Sequence, residues 1–203
     1  MKNSMMKILD TAKRVLLSVF FNDSSQYWEK RYSKGGDSGI GSYGNFAEFK
    51  AKEINNFIRT NNIKSSIEFG CGDGHQLSLI NYECYLGLDV SQAAINICRE
   101  KYRHDNTKSF SLLSEYNNTI AELSLSLDVL YHLTEDSVYH NYLRTLFASS
   151  DKFVIIYSTN FDSKKTFNFI NKHVRHRKFT EWVTIHQPEW QCISHTPGPF
   201  PLG

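Results

Sequence analysis

Ile67-Glu68-Phe69-Gly70-Cys71-Gly72-Asp73-Gly74 is the stretch on which the fold is decided. A short apolar strand runs straight into a turn in which every second residue is glycine. Glycines allow positive φ and let the backbone approach a ligand closely. In open α/β sheets such turns stand at the carboxyl edge, where ligands bind. A dinucleotide fingerprint, Gly-x-Gly-x-x-Gly, fails here because its last position is His75. The next strand, Tyr85 to Val90, carries Asp89 near its end, fifteen residues after Gly74. A carboxylate at that place can accept hydrogen bonds from both hydroxyls of a ribose.

Working outward, strands and helices alternate. Residues 46–60 read as a helix with Phe46, Phe49, Ile54, Phe57 and Ile58 apolar, and Ser66 to Phe69 as the first strand. A helix starts over Gln76 to Asn81, and Ser91 caps another over Gln92 to Arg103. Ser109–Leu113, Leu123–Leu130 and Lys152–Ser158 read as further strands, with a helix over Ser137–Phe147. Continuous apolar strands between helices predict a mostly parallel sheet covered on both faces.

Together these residues resemble the class I S-adenosylmethionine-dependent methyltransferases. Glu68-x-Gly70-x-Gly72-x-Gly74 is similar to their first motif, and Asp89 to their ribose-binding acid. Leu125-Ser126-Leu127-Asp128-Val129-Leu130-Tyr131-His132-Leu133 is similar to their fourth-strand motif. The resemblance implies an α/β, Rossmann-like fold with a seven-stranded sheet, the last strand antiparallel and supplied by the tail from about Gln191. It also implies that Glu68, Gly70, Gly72, Gly74, Asp89, Val90 and Asp128 hold the cofactor. Tyr27-Trp28-Glu29-Lys30-Arg31-Tyr32, with the glycine-rich loop Gly35 to Gly44 behind it, resembles the lid of small-molecule methyltransferases. Tyr27 and Trp28 would shelter the sulfonium, since a cation favours a π-face, and the loop would exclude water by closing.

Composition sets the outer bounds. The 203 residues fit one domain, divided into a helix and lid (1–45), a cofactor core (46–160) and a basic acceptor-side segment with the tail (161–203). With 23 basic against 21 acidic residues, the chain is neither histone-like nor an acidic tail. Its four scattered cysteines, Cys71, Cys84, Cys98 and Cys192, form no Cys-x-x-Cys pair and point to a reducing cytoplasm. The longest apolar run, Val15 to Phe21, is far below the roughly 20 residues of a membrane span. Asp10, Lys13 and Arg14 break a signal peptide, so 4–21 reads as an amphipathic helix. Such a helix suits a homodimer and an intramolecular dock equally well.

The acceptor side is defined partly by what is missing. The chain has no proline before Pro188, hence no Asn/Asp-Pro-Pro-Tyr/Phe motif for exocyclic base nitrogens and no Pro-Cys nucleophile for pyrimidine carbon. This argues against nucleic acid as partner. Asp128 and His132, four apart, together with His173 and His176, form a candidate set for Mn²⁺, Mg²⁺ or Zn²⁺. Without metal, His132 is a candidate general base, and the bland alternative is that these histidines make loop hydrogen bonds or are solvated. Lys164, Lys165, Lys172, Arg175, Arg177 and Lys178 form a basic run without an acid. Arg175 and Arg177, with Tyr131, are candidates for gripping an anionic small-molecule or glycan-linked acceptor, against a merely solvated face. The lid, the Leu127–Leu133 stretch and His173 to Thr180 look like a bacterial subgroup tied to surface polysaccharides, including enzymes that O-methylate capsular phosphoramidate. That likeness implies O-methylation of a sugar or phosphoryl-bearing precursor. The rival expectations are a small-molecule or protein N-methyltransferase and a non-catalytic RNA- or protein-binding subunit.

Overall fold

The computed structural model describes residues 22–162 and 174–199. The expected helix over 4–21 lies outside them. Helix α1 (Asn22–Ser33) is followed by a short 3₁₀ turn at Ile40–Ser42 and by α2 (Gly44–Asn61). Strand β1 (Ser65–Phe69), β2 (Cys84–Asp89), α3 (Gln92–Lys101), β3 (Lys108–Leu112), β4 (Ala121–Leu127), α4 (Asp136–Ala148), β5 (Ser150–Tyr157) and α5 (Phe179–His186) complete the order.

The strands line up β3-β2-β1-β4-β5, each pair parallel. The chain steps outward from β1 through β2 to β3 and then returns to the other side of β1. That reversal opens a crevice between the carboxyl ends of β1 and β4, the place where doubly wound sheets take ligands.

Each face of the sheet has its own apolar layer. On one, Ile54 and Ile58 of α2 and Ile95 and Cys98 of α3 meet Tyr85, Leu123 and Leu125 of the strands. On the other, Val138, Tyr142, Leu143 and Leu146 of α4 and Trp182 of α5 meet Ile67, Phe69 and Leu88. Fully buried side chains of this size contribute about 1.5–3 kcal/mol each. Helix α2 buries Ala47, Lys50, Ala51, Ile54 and Ile58, a spacing of three and four that makes one stripe. It ends where Asn62 turns left-handed at φ 51°. Helix α3 starts as its sequence predicts, with Ser91 Oγ accepting the Ala94 N–H at 3.1 Å.

Three expectations are corrected. The sheet has five strands among the described residues, not seven, and no antiparallel strand. Residues 191–199 form no strand and are mostly exposed; Pro197 and Pro199 lack the N–H that a ladder requires. The fourth strand stops at Leu127 rather than Leu130, because Asp128 takes φ 60° and turns the chain off the sheet. The helix starting at Gln76 is one 3₁₀ turn, Gln76–Leu79, since Ile80 and Tyr82 return at once to the core before β2. Among the described residues no helix is long and apolar enough to cross a membrane.

Candidate functional site

The glycine turn is fixed from below by β2. The N–H groups of Gly70 and Cys71 both donate to the Leu88 carbonyl, at 2.7 and 3.0 Å. Gly70, Gly72 and Gly74 have φ of 85°, 55° and 68°, a conformation that L side chains rarely hold. Asp89 Oδ2 accepts the Gly72 N–H and Oδ1 the Ser91 N–H, both at 2.9 Å. Burial pushes the Asp89 carboxyl up to about 6 against these bonds. Each oxygen retains lone-pair capacity for a further donor. Val90 beside it is half-buried and packs on the apolar layer.

Glu68 stands in β1 just before the glycine turn. It is buried within β1, where it accepts a hydrogen bond from Tyr85 OH at 2.7 Å. Burial raises its carboxyl to about 7, countered in part by the Tyr85 bond and by Lys50. Its visible role is to brace β1 against β2 directly beneath the turn.

The segment expected to act as a lid packs against the turn. Ser38 and Asp73 grip each other reciprocally: the Ser38 N–H donates to Asp73 Oδ2 at 2.8 Å, and the Asp73 N–H to Ser38 Oγ at 3.0 Å. Tyr43 OH donates to the same Oδ2 at 2.8 Å, and its ring stacks on His75 at 4.0 Å. Tyr32 OH meets Ser38 Oγ at 3.0 Å. A Cβ at Gly72 would overlap Ser38 Oγ, and one at Gly41 would stand 2.7 Å from Asp128 Oδ2. The lid therefore touches the ends of both β1 and β4. Glu29 anchors its helix on α3, with Oε2 accepting from Ser91 Oγ at 2.7 Å and the Ala93 N–H at 3.2 Å. Trp28 stacks on Tyr32 at 5.7 Å and meets His132 edge-on at 5.0 Å, while Tyr27 lies edge-on to Trp28 at 5.3 Å.

At the exit of β4, Asp128 is held on both oxygens. Lys50 Nζ donates to Oδ2 at 2.6 Å and Tyr131 OH to Oδ1 at 3.0 Å. Lys50, a lysine on the apolar stripe of α2, also lies over the Tyr157 ring at 5.2 Å. His132 packs between Trp28 and Tyr131, and His176 Nδ1 bonds Thr159 Oγ1 at 2.7 Å.

The described residues do not bring the expected metal set together. Asp128 faces a lysine and a tyrosine, His176 faces a threonine, and His173 lies outside the described residues. No group of three or more His, Cys, Asp or Glu side chains that could hold a metal occurs among the described residues. The described part of the basic run is engaged as well. Arg177 donates to the carbonyls of Leu133 and Thr134, at 2.5 and 2.7 Å, and to Asp136 at 3.1 Å. Arg175 pairs with Asp136 at 2.8 Å and donates to Thr134 O at 3.1 Å. These arginines staple the 174–178 segment onto the loop after β4. Lys164, Lys165 and Lys172 lie outside the described residues.

Sequence reasoning missed Ser38, Tyr43, Asp73, Glu29 and Lys50 as site-builders. Lys50 had a readable signal: it falls three residues after Ala47 and four before Ile54, on the side that α2 must bury. The Ser38–Asp73 pairing had none, because 35 residues separate the partners.

The turn fits S-adenosylmethionine. Asp89 keeps acceptor capacity suited to ribose hydroxyls, and the positive-φ glycines let the backbone of the turn come close to a ligand.

No protein-family model and no curated protein matches the chain. Solved structures do. The magnesium protoporphyrin IX methyltransferase ChlM from Synechocystis PCC 6803, with bound SAM, is 15% identical and has a TM-score of 0.58, covering 91% of this chain and 88% of that one. The methyltransferase domain of bacterial CtHen1 is 18% identical with a TM-score of 0.56, over 70% of this chain and 84% of that one. The N-methyltransferase NodS from Bradyrhizobium japonicum WM9, in complex with S-adenosylhomocysteine, is 13% identical with a TM-score of 0.51, over 64% and 68%. At such identities the likeness establishes the Rossmann-like methyltransferase fold. None of these findings speaks for the polysaccharide subgroup.

Proposed function

We propose that the chain is an S-adenosylmethionine-dependent methyltransferase acting on an oxygen acceptor. The observation that carries this reading is the Asp89 carboxylate, joined to the Gly72 N–H at 2.9 Å beneath a lid clamped to the same turn. Structures of this fold with SAM or S-adenosylhomocysteine bound support it. SAM bound there supplies an activated methyl group.

The chain's own residues would bind, orient and dehydrate. Asp89 and the turn would hold the nucleoside, and Tyr27, Trp28 and Tyr32 would shield the reacting end from water. Asp128, fixed by Lys50, would set the direction of the Tyr131 hydroxyl beside the acceptor. His132, adjacent to Tyr131 and Trp28, would receive the acceptor's proton. Phosphoryl recognition is supported by the sequence likeness alone, since Arg175 and Arg177 are engaged by Asp136 and two carbonyls.

Thermal-shift titration with S-adenosylhomocysteine tests the reading. A saturable rise in melting temperature that Asp89→Ala abolishes is expected; an equal rise in both proteins, or none in either, contradicts it.

A further inference from the structure

Three rings join α5 to α4. Trp182, 6% exposed and part of the apolar layer on that face, donates its indole N–H to His140 Nδ1. His186 stacks on the Trp182 ring with centroids 4.6 Å apart, and its Nδ1 meets the Trp182 carbonyl at 2.9 Å. The two imidazoles stand 5.9 Å apart.

Donor chemistry fixes both tautomers. An indole N–H only donates, so His140 Nδ1 carries a lone pair and the ring's proton sits on Nε2. A carbonyl only accepts, so His186 holds its proton on Nδ1. Acid therefore acts differently on the two histidines. At His186 a second proton goes to Nε2 and leaves the bond to the Trp182 carbonyl intact. At His140 it goes to Nδ1, sets N–H against N–H, and the indole bond is lost.

We propose that the Trp182–His140 bond is an acid-sensitive latch that holds α5 on α4. The inference does not depend on the methyltransferase reading. Among the described residues, the charged groups facing His140 are Asp136 and Arg144 of α4, His186 of α5, and Arg177 of the segment before α5. The Tyr139 ring lies edge-on at 5.7 Å, its hydroxyl pushed by burial up to about 12 and so neutral throughout. Burial, and after it Arg144, holds the His140 imidazole below its ordinary 6.5, while Asp136 opposes them and is itself engaged by Arg175 and Arg177. The folded chain thus binds this proton less tightly than the unfolded one. The latch is closed above 6.5 and opens as pH falls through the lower folded value.

The start of α5 is tied elsewhere, by the Lys178 N–H to Asp162 Oδ1 at 3.1 Å and the Thr180 N–H to Asn160 Oδ1 at 3.2 Å. Opening therefore frees the Trp182 side of the helix and not its first turn. Arg175 and Arg177, just before α5, hold the loop of Tyr131 and His132, so the latch stands one short segment from the candidate site.

The test is nuclear magnetic resonance of the full chain, with tryptophan and histidine labelled, between about pH 8 and about pH 5, the range in which histidines titrate. Trp182→Phe assigns one of the three indole signals. The Trp182 indole proton is expected downfield at the alkaline end, and to lose that shift in step with the His140 ring, at a midpoint below 6.5. In His140→Gln the amide oxygen accepts the indole N–H at every pH, so the signal should stay downfield. His186→Gln should keep the pH dependence. An indole signal that does not move as His140 titrates, the same movement in His140→Gln, or its loss in His186→Gln overturns the latch. If His140→Gln does not fold, the two coincident titrations in the unaltered chain decide.

Discussion

Lys50 and Asp128 stand 78 positions apart in the chain and meet as an ion pair at 2.6 Å, with the lysine side chain 1% exposed. The pair joins α2 to the exit of β4 and sets the carboxylate against which Gly41 of the lid rests. A buried lysine is tolerated only with such a partner.

Lys50→Met should therefore cost about 3 kcal/mol of stability, since it strands a largely buried carboxylate. Lys50→Met combined with Asp128→Asn should cost clearly less than the two single changes summed. Urea denaturation of the four proteins measures the coupling, and strict additivity would show that the pair carries no energy of its own.

Much of this architecture was legible in the sequence. β1 with its glycine turn, β2 ending at Asp89, and the Ser91 cap all rest on local signals, and each stands where its residues predicted. The two further strands rest on resemblance rather than on residues, and among the described residues the proline-bearing tail forms no strand over 191–199. The Lys50–Asp128 and Ser38–Asp73 contacts were unreadable for another reason. They depend on tertiary packing between distant segments, and nothing in either segment alone announces its partner.

Acid should weaken cofactor binding. Burial raises Asp89 to about 6, and a protonated carboxyl loses acceptor capacity for ribose hydroxyls. S-adenosylhomocysteine affinity is expected to fall as pH drops through 6, and Asp89→Asn to bind weakly with that dependence removed. Calorimetry between pH 5 and about 8, the range in which these carboxyls titrate, checks it.

Global stability should move the opposite way with pH. Glu68 is raised by burial to about 7 from its ordinary 4.5, so the folded chain binds its proton more tightly than the unfolded one. The stabilisation is complete below 4.5 and lost as pH rises through about 7. Glu68→Gln should flatten that part of the stability profile. An unchanged slope between pH 6 and 7 in urea midpoints would place the titration on another group, given Asp89 at about 6.

Gly72→Ala should lower both stability and cofactor affinity. The alanine must hold φ 55° and its Cβ overlaps Ser38 Oγ, with the backbone part alone costing about 1–2 kcal/mol. Ser38→Gly in the same chain removes the Ser38 overlap but neither the Tyr32 hydroxyl, 2.8 Å from that Cβ, nor the backbone strain, so partial recovery of melting temperature is expected. Full recovery would mean that neither the Tyr32 contact nor the backbone conformation costs anything.

The turn after β1, the Asp89 carboxylate and the lid are expected to form one S-adenosylmethionine site. Isothermal titration of the intact chain with S-adenosylhomocysteine, alongside Asp89→Ala and Ser38→Ala, tests it most directly. One site per chain is expected, lost or greatly weakened in Asp89→Ala and weakened several-fold in Ser38→Ala through the lid. Absence of binding in the unaltered chain, or equal affinity in all three, would contradict it.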